Sequence, residues 1–273
     1  MSSPILFSVC VVLTTYLLLQ FAYLLFIEIV RAFNRGDPVR ALTFGPVTAE
    51  TCLILVHGFA DTPEAWRREG EALAARGMRV QIPVLDHDAT EREWMETVQH
   101  AVAEARLTAR SVWMWGHSMG GAVIVAMGAP AVTGRVLWAP FFAPKLGRRW
   151  VHFLYCFHRV LFLWPHTLTF FPSQRNGKGE IKTAYRVRRV IPIRTFSAML
   201  RMQQYAVDTS AHLPTFVLLS QRDRVVENQA TRQALPAATF AFVANPLSGH
   251  ALTNAMDWRE NLEASLDFME QNQ

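Results

Sequence analysis

The feature that most limits how this chain can fold is the stretch at residues 111–121, SVWMWGHSMGG. Its first half is a continuous apolar run that reads as a buried strand, and the small residues behind it read as a helix. No linker separates the two. The strand must hand over to the helix in one sharp turn centred on Ser118, with Gly116 two places before it and Gly120 two places after. Glycine weakens both strand and helix, so its use here implies crowding that a Cβ would not survive. Gly121 lets the following helix pack closely. A turn of this kind lifts the Ser118 hydroxyl out of the top of a sheet, as a G-x-S-x-G nucleophile turn does.

The rest of the body supplies that sheet. Thr51-Cys52-Leu53-Ile54-Leu55-Val56 reads as a buried parallel strand, and further strands are expected at residues 78–82, 135–138, 215–220 and 239–243. Helices are expected at residues 62–75, 90–106, 119–128, 228–235 and 257–269. The first opens on Thr62-Pro63-Glu64, a capping hydroxyl, an N1 proline and an acid. Alternating strand and helix predicts an α/β fold with a mostly parallel sheet covered on both faces. The alternation breaks between Pro140 and Leu213, which reads as an insertion over the sheet. At 273 residues the chain is long enough for one large domain.

A serine hydroxyl needs a base, and the base needs an orienting carboxylate. With a G-x-S-x-G turn they follow in the order serine, acid, histidine. Of nine histidines only His250, in LSGHALT, lies beyond the acid in SQRDRVV, Asp223. Glu227 is the rival acid, and an ion pair with Arg222 or Arg224 is the alternative role for Asp223. The turn after the first strand, His57-Gly58-Phe59, faces the same end of the sheet, so the backbone N–H groups of Phe59 and Met119 are the expected oxyanion donors. Met119 also heads the new helix, at its positive dipole end. His57 reads as a structural turn residue.

The N-terminus is of another character. Residues 5–27 carry no charge, and roughly 20 apolar residues suffice to cross a bilayer core. No Lys or Arg precedes the run and no A-x-A-like site follows it, so a membrane anchor is expected rather than a cleaved signal peptide. Arg31, Arg35 and Arg40 follow, which biases the body towards the cytoplasm. The domain plan is an anchor and linker over residues 1–35 and a second domain over residues 36–273. Charge is uneven. Residues 141–205 hold twelve Lys/Arg against the single acid Glu180, and 13 of the 31 aromatics. That segment suits anionic lipid better than nucleic acid. Cys10, Cys52 and Cys156 are too dispersed for a metal pair or a disulfide framework.

Together LILVHGFADTPEAW, GHSMGG, RDRVV and SGHALT resemble the α/β-hydrolase superfamily, and within it the carboxylesterase and monoacylglycerol lipase/lysophospholipase branch often described as serine-aminopeptidase-like. The resemblance implies ester hydrolysis through an acyl-enzyme at Ser118, with Asp223 and His250 completing a triad and no cofactor. It also implies a lid over about residues 141–212, in which Trp150, Phe153, Phe157 and Trp164 are expected to line an acyl channel or face lipid. Phe162, Arg148, Arg149, Arg186, Arg188 and Arg189 lie in the same segment, as does a glycine-rich loop at residues 173–179. One departure is Asp86-His87-Asp88, where the family usually has a Gly-His-Gly turn. It bears on the pocket wall, and without further ligands nearby it is not read as a metal site. The competing readings are a membrane-tethered, non-catalytic scaffold, or a peptidase or acyltransferase built on the same triad.

Overall fold

A computed structural model describes residues 4–33, 39–128, 131–147, 149–150, 153, 156, 166–168, 190–205 and 212–273. The strands are β1 Leu42–Phe44, β2 Thr51–Val56, β3 Arg79–Ile82, β4 Ser111–His117, β5 Gly134–Trp138, β6 His166–Leu168, β7 Val190–Pro192, β8 Thr215–Leu219 and β9 Thr239–Phe242. The α-helices are α1 Pro4–Phe33, α2 Arg67–Ala74, α3 Glu91–Ala105, α4 Met119–Ala126, α5 Ile193–Tyr205, α6 Asn228–Ala234 and α7 Trp258–Gln271.

Seven strands form one sheet in the order β1-β3-β2-β4-β5-β8-β9, parallel except for β1, which runs antiparallel to β3. Residue alternation along each strand divides the core in two. Cys52, Ile54 and Val56 of β2 and Val112 and Met114 of β4 face α3, α4 and α5. Leu53, Leu55, Trp113 and Trp115 face the opposite layer with Trp66, Leu262 and Leu266. Both faces are covered, which is why these strands are apolar throughout. The indole of Trp138 meets Trp66 at 5.0 Å and Trp115 at 6.0 Å, and its N–H donates to Ser265 Oγ at 3.1 Å.

Local chemistry explains most element boundaries. Thr90 and Glu93 cap α3 reciprocally, each side chain taking the other's backbone N–H. The segment expected as one helix over residues 62–75 is instead a 3₁₀ turn, Pro63–Trp66, leading into α2, and the Thr62 hydroxyl makes no capping bond. Strand β1 was not anticipated. Three residues are too short to show an alternating pattern, and β1 is defined by its pairing with β3.

The inserted segment is tied to the body at both ends. After β5, Pro144 bridges Val226, Lys145 N–H donates to Val225 O at 2.8 Å, and Glu227 N–H to Ala143 O at 3.0 Å. At its far end Ile191, Ala198, Met199 and Met202 are buried in the core formed with α3 and α4. Arg201 grips Glu91 through two hydrogen bonds of 2.7 and 2.9 Å, Arg194 lies 3.3 Å from Asp88, and the Thr195 hydroxyl donates to His87 O. Helix α1 is long and apolar enough over Phe7–Val30 to cross a membrane, a property that signal sequences share. Its fully buried described residue is Ile27, and the helix packs on the antiparallel hairpin β6–β7.

Candidate active site

Ser118 stands between β4 and α4 with φ 52° and ψ −116°, a region L-residues rarely occupy. A backbone held there costs about 1–3 kcal/mol, so its surroundings must enforce it. Its N–H donates to Trp138 O at 2.9 Å, and its carbonyl accepts from Phe141 N–H at 3.0 Å and Ala122 N–H at 3.2 Å. The glycines make room for the turn. A Cβ on Gly116 would lie 2.6 Å from Gly121 N, and one on Gly120 would lie 2.3 Å from Val56 O and 2.7 Å from His57 O. Gly121 passes Pro140, where a Cβ would come within 2.8 Å. Gly120→Ala therefore drives a methyl into the backbone of β2, which no rotamer relieves. We expect a loss of about 4 kcal/mol, read as a fall in Tm of about 10 °C or as failure to accumulate folded protein.

The turn, the loop after β8 and the loop after β9 converge at the carboxyl end of the sheet. His250 Nε2 lies 2.8 Å from Ser118 Oγ, and His250 Nδ1 lies 2.7 Å from Asp223 Oδ2. The other carboxylate oxygen, Oδ1, accepts the N–H groups of Val225 and Val226, both at 2.8 Å. Burial pushes the Asp223 carboxyl up, but the His250 ring and these two amides outweigh it and hold the group below its ordinary range. Asp223 therefore bonds His250 rather than pairing with Arg222 or Arg224. Glu227 points elsewhere: its carboxylate accepts Gln229 N–H at the start of α6 and lies 3.5 Å from Lys145.

Gly58 brings the turn after β2 against Ser118, since a Cβ on it would sit 3.3 Å from Ser118 Cβ. The turn closes with Asp61 N–H donating to Gly58 O, and Ala60 takes a φ of 65°. Phe59 lies within this turn. Met119 is the first residue of α4, where no preceding helical carbonyl exists to accept its N–H. His57 is structural: its Nε2 accepts Leu85 N–H at 3.1 Å, so Nδ1 carries the proton towards Gly58 O at 3.0 Å. His87, from the unusual Asp86-His87-Asp88 segment, is buried with its ring parallel to that of Phe59, the centroids 6.4 Å apart. Of the aromatics expected in a lid, Trp150 and Phe153 are exposed and meet edge to face at 6.0 Å. Phe157, Phe162 and Trp164, together with Arg148, Arg186, Arg188, Arg189 and the loop at residues 173–179, lie outside the described residues.

A second layer of polar groups was not legible in the sequence, because none of it forms a local motif. Ser220 Oγ donates to Ser248 O at 2.5 Å and accepts Arg222 N–H at 3.1 Å, joining the Asp223 turn to the His250 loop. Asp257 accepts Asn245 N–H and the Ser248 hydroxyl, both at 2.8 Å. Glu69 of α2 is wholly buried with Arg68 at 2.8 Å. Burial, opposed by Arg68, pushes its carboxyl up from 4.5 to about 7. Because the folded value is raised, its contribution to stability is complete below pH 4.5 and is lost as pH rises through 7. Glu69→Gln mimics the protonated acid. We expect it to stabilise the protein by about 1–3 kcal/mol at alkaline pH, with the gain shrinking as pH falls towards 5 in parallel denaturation curves.

The sheet order, the strained serine turn and the Ser–His–Asp hydrogen-bond chain define the α/β-hydrolase class. The family model described as serine aminopeptidase, S33, matches residues 92–243, more than half of the chain, and the chain belongs to that family of hydrolases. Solved structures share the fold. One, described with the metagenome-derived lipolytic enzymes LipS and LipT, has a TM-score of 0.68 at 18% identity, covering 86% of this chain and 98% of its own. The monoacylglycerol lipase of Paleococcus ferrophilus gives 0.67 at 15% identity, covering 86% and 100%. A soluble variant of monoglyceride lipase from Saccharomyces cerevisiae gives 0.66 at 11%, covering 87% and 94%. No curated protein matches the chain by sequence.

Proposed function

We propose that this protein is a membrane-anchored serine hydrolase that cleaves lipid-like carboxylic monoesters, such as monoacylglycerols or lysophospholipids. The observation that carries the reading is the unbroken chain from Ser118 Oγ through His250 to Asp223, at 2.8 and 2.7 Å. Ser118 Oγ attacks the ester carbonyl as its proton passes to His250 Nε2. Asp223 holds Nδ1–H and stabilises the imidazolium that forms. The oxyanion is met by the N–H groups of Phe59 and Met119, donors typically worth about 3 kcal/mol each. Collapse breaks the ester C–O bond, and the alcohol leaves with the proton from His250. Water then attacks the acyl-enzyme, giving its proton to His250, and the carboxylic acid departs as Ser118 is re-protonated.

Three features support a lipid-like substrate. The solved structures of similar fold include two described as monoglyceride or monoacylglycerol lipases. The insertion is rich in aromatic and basic residues, and we assign it the role of a lid. The helix α1 has the length of a bilayer span, and the arginines behind it favour a cytoplasmic body. The test is a panel of p-nitrophenyl esters, monoacylglycerols, lysophospholipids and arylamides, offered to the detergent-solubilised full chain, together with mass spectrometry of the acyl-enzyme. We expect ester turnover, an acyl adduct on Ser118 and little arylamide cleavage. Folded protein with neither adduct nor turnover would overturn the proposal, and preferential arylamide cleavage would reassign it as a peptidase.

A further inference from the structure

The ring of His250 is aimed by its main chain, and that main chain lies in an irregular loop between β9 and α7. Besides Ser220 and Asp257, which hold it through Ser248, two side chains from other elements fasten it close to the ring. His117, the last residue of β4, is buried, and its Nε2 lies 2.9 Å from His250 O. A carbonyl only accepts, so Nε2 carries the proton. The opposite nitrogen, Nδ1, has no hydrogen-bond partner among the described residues and lies 3.7 Å from the Asp61 carboxylate. The two imidazole rings lie 5.2 Å apart, tilted by 42°. Three residues further along, Thr253 O accepts Arg68 Nη2 at 2.7 Å. The same nitrogen bonds Glu69, and the Arg68 guanidinium lies 4.2 Å over Trp258. A wholly buried acid is costly to keep, and here it holds the arginine that holds the loop.

We propose that His117 is a positioning residue for His250, fixing its carbonyl so that the ring stays within reach of Ser118, with the Glu69–Arg68 pair as a second fastening of the same loop. This rests on the reading of Ser118, His250 and Asp223 as the reacting groups. The physical reason is leverage. A misplacement of about 1 Å at a reacting group costs on the order of 10²-fold in rate, and a carbonyl released from its donor is free to shift on that scale.

The test compares His117→Phe with His117→Gln in the full chain. Phenylalanine keeps the volume and removes the donor, whereas glutamine places an N–H the same number of bonds from the backbone as His117 Nε2. Turnover is counted per active site titrated with a fluorophosphonate. We expect the Phe variant to lose about 10–100-fold in kcat with KM within about twofold, and the Gln variant to recover most of it. Arg68→Met, at a half-exposed site and with its stem still over Trp258, is expected to lose a few-fold. A Phe variant with wild-type turnover per titrated site overturns the proposal, and so do Phe and Gln variants that are equally impaired. The downfield proton of the His250–Asp223 hydrogen bond supplies a readout that needs no substrate. It should persist in the Gln variant and broaden or vanish in the Phe variant. If the wild type lacks Ser118-dependent turnover, the hydrolase reading fails while this signal still judges the clamp.

Discussion

Ser118→Ala is expected to lower ester turnover by a factor on the order of 10⁵–10⁶ while leaving a folded protein. In the proposed mechanism this hydroxyl is the group that bonds to substrate, and among the described residues it is the one at 2.8 Å from His250 Nε2. In that mechanism Ser118 and His250 act as a unit, so His250→Ala should fall to a similar level, and the double variant should be scarcely worse than either. The backbone at this position gives an independent check. With φ at 52°, any side chain is strained, so Ser118→Gly should be about 1 kcal/mol more stable than Ser118→Ala while equally inactive. Equal turnover in wild type and Ser118→Ala, measured on the same ester, would remove the nucleophile from the account.

Asp223→Asn should lower kcat by about 10⁴-fold, and the hydrogen bonds explain why a substitution of one atom costs so much. The oxygen Oδ1 is held by two N–H donors, Val225 and Val226. In asparagine that place must be taken by the amide oxygen, which turns the NH₂ towards His250 Nδ1. A donor there requires a bare Nδ1, so the imidazole proton moves to Nε2 and points at Ser118 Oγ. The ring then has no lone pair with which to accept the serine proton. Stability carries a second signature. The carboxyl of Asp223 is held below its ordinary range, so its contribution is present above the unfolded value and is lost as pH falls through the folded one. The stability gap between wild type and Asp223→Asn should therefore be widest near neutrality and close in acid, which thermal melts across a pH series would show.

Much of the sheet is legible from side-chain chemistry alone. The runs at residues 51–56 and 215–219 are apolar and rich in β-branched or bulky residues because both faces are covered. The order of Ser118, Asp223 and His250 along the chain is equally a property of the sequence, as is the glycine spacing around Ser118. The sequence is silent where the determinant is a partner far along the chain. Strand β1 exists by pairing with β3, and the split between Pro63–Trp66 and α2 produces a layer in which Glu69 is buried. The far end of the insertion also looks like a separate cover in sequence, yet Met199 and Met202 belong to the main core.

The sequence by itself determined that a strand must turn abruptly into a helix at Ser118, that a parallel sheet supports the turn, and that His250 follows it behind two candidate acids, Asp223 and Glu227. These are local matters of volume, backbone freedom and periodicity. Only the tertiary structure decided that His250 sits 2.8 Å from Ser118, that Glu227 faces Lys145 instead, and that His117 and Arg68 hold the loop from behind. Those relations join residues more than 80 positions apart, and hydrogen-bond geometry of that kind is set by how elements pack, which no local pattern encodes.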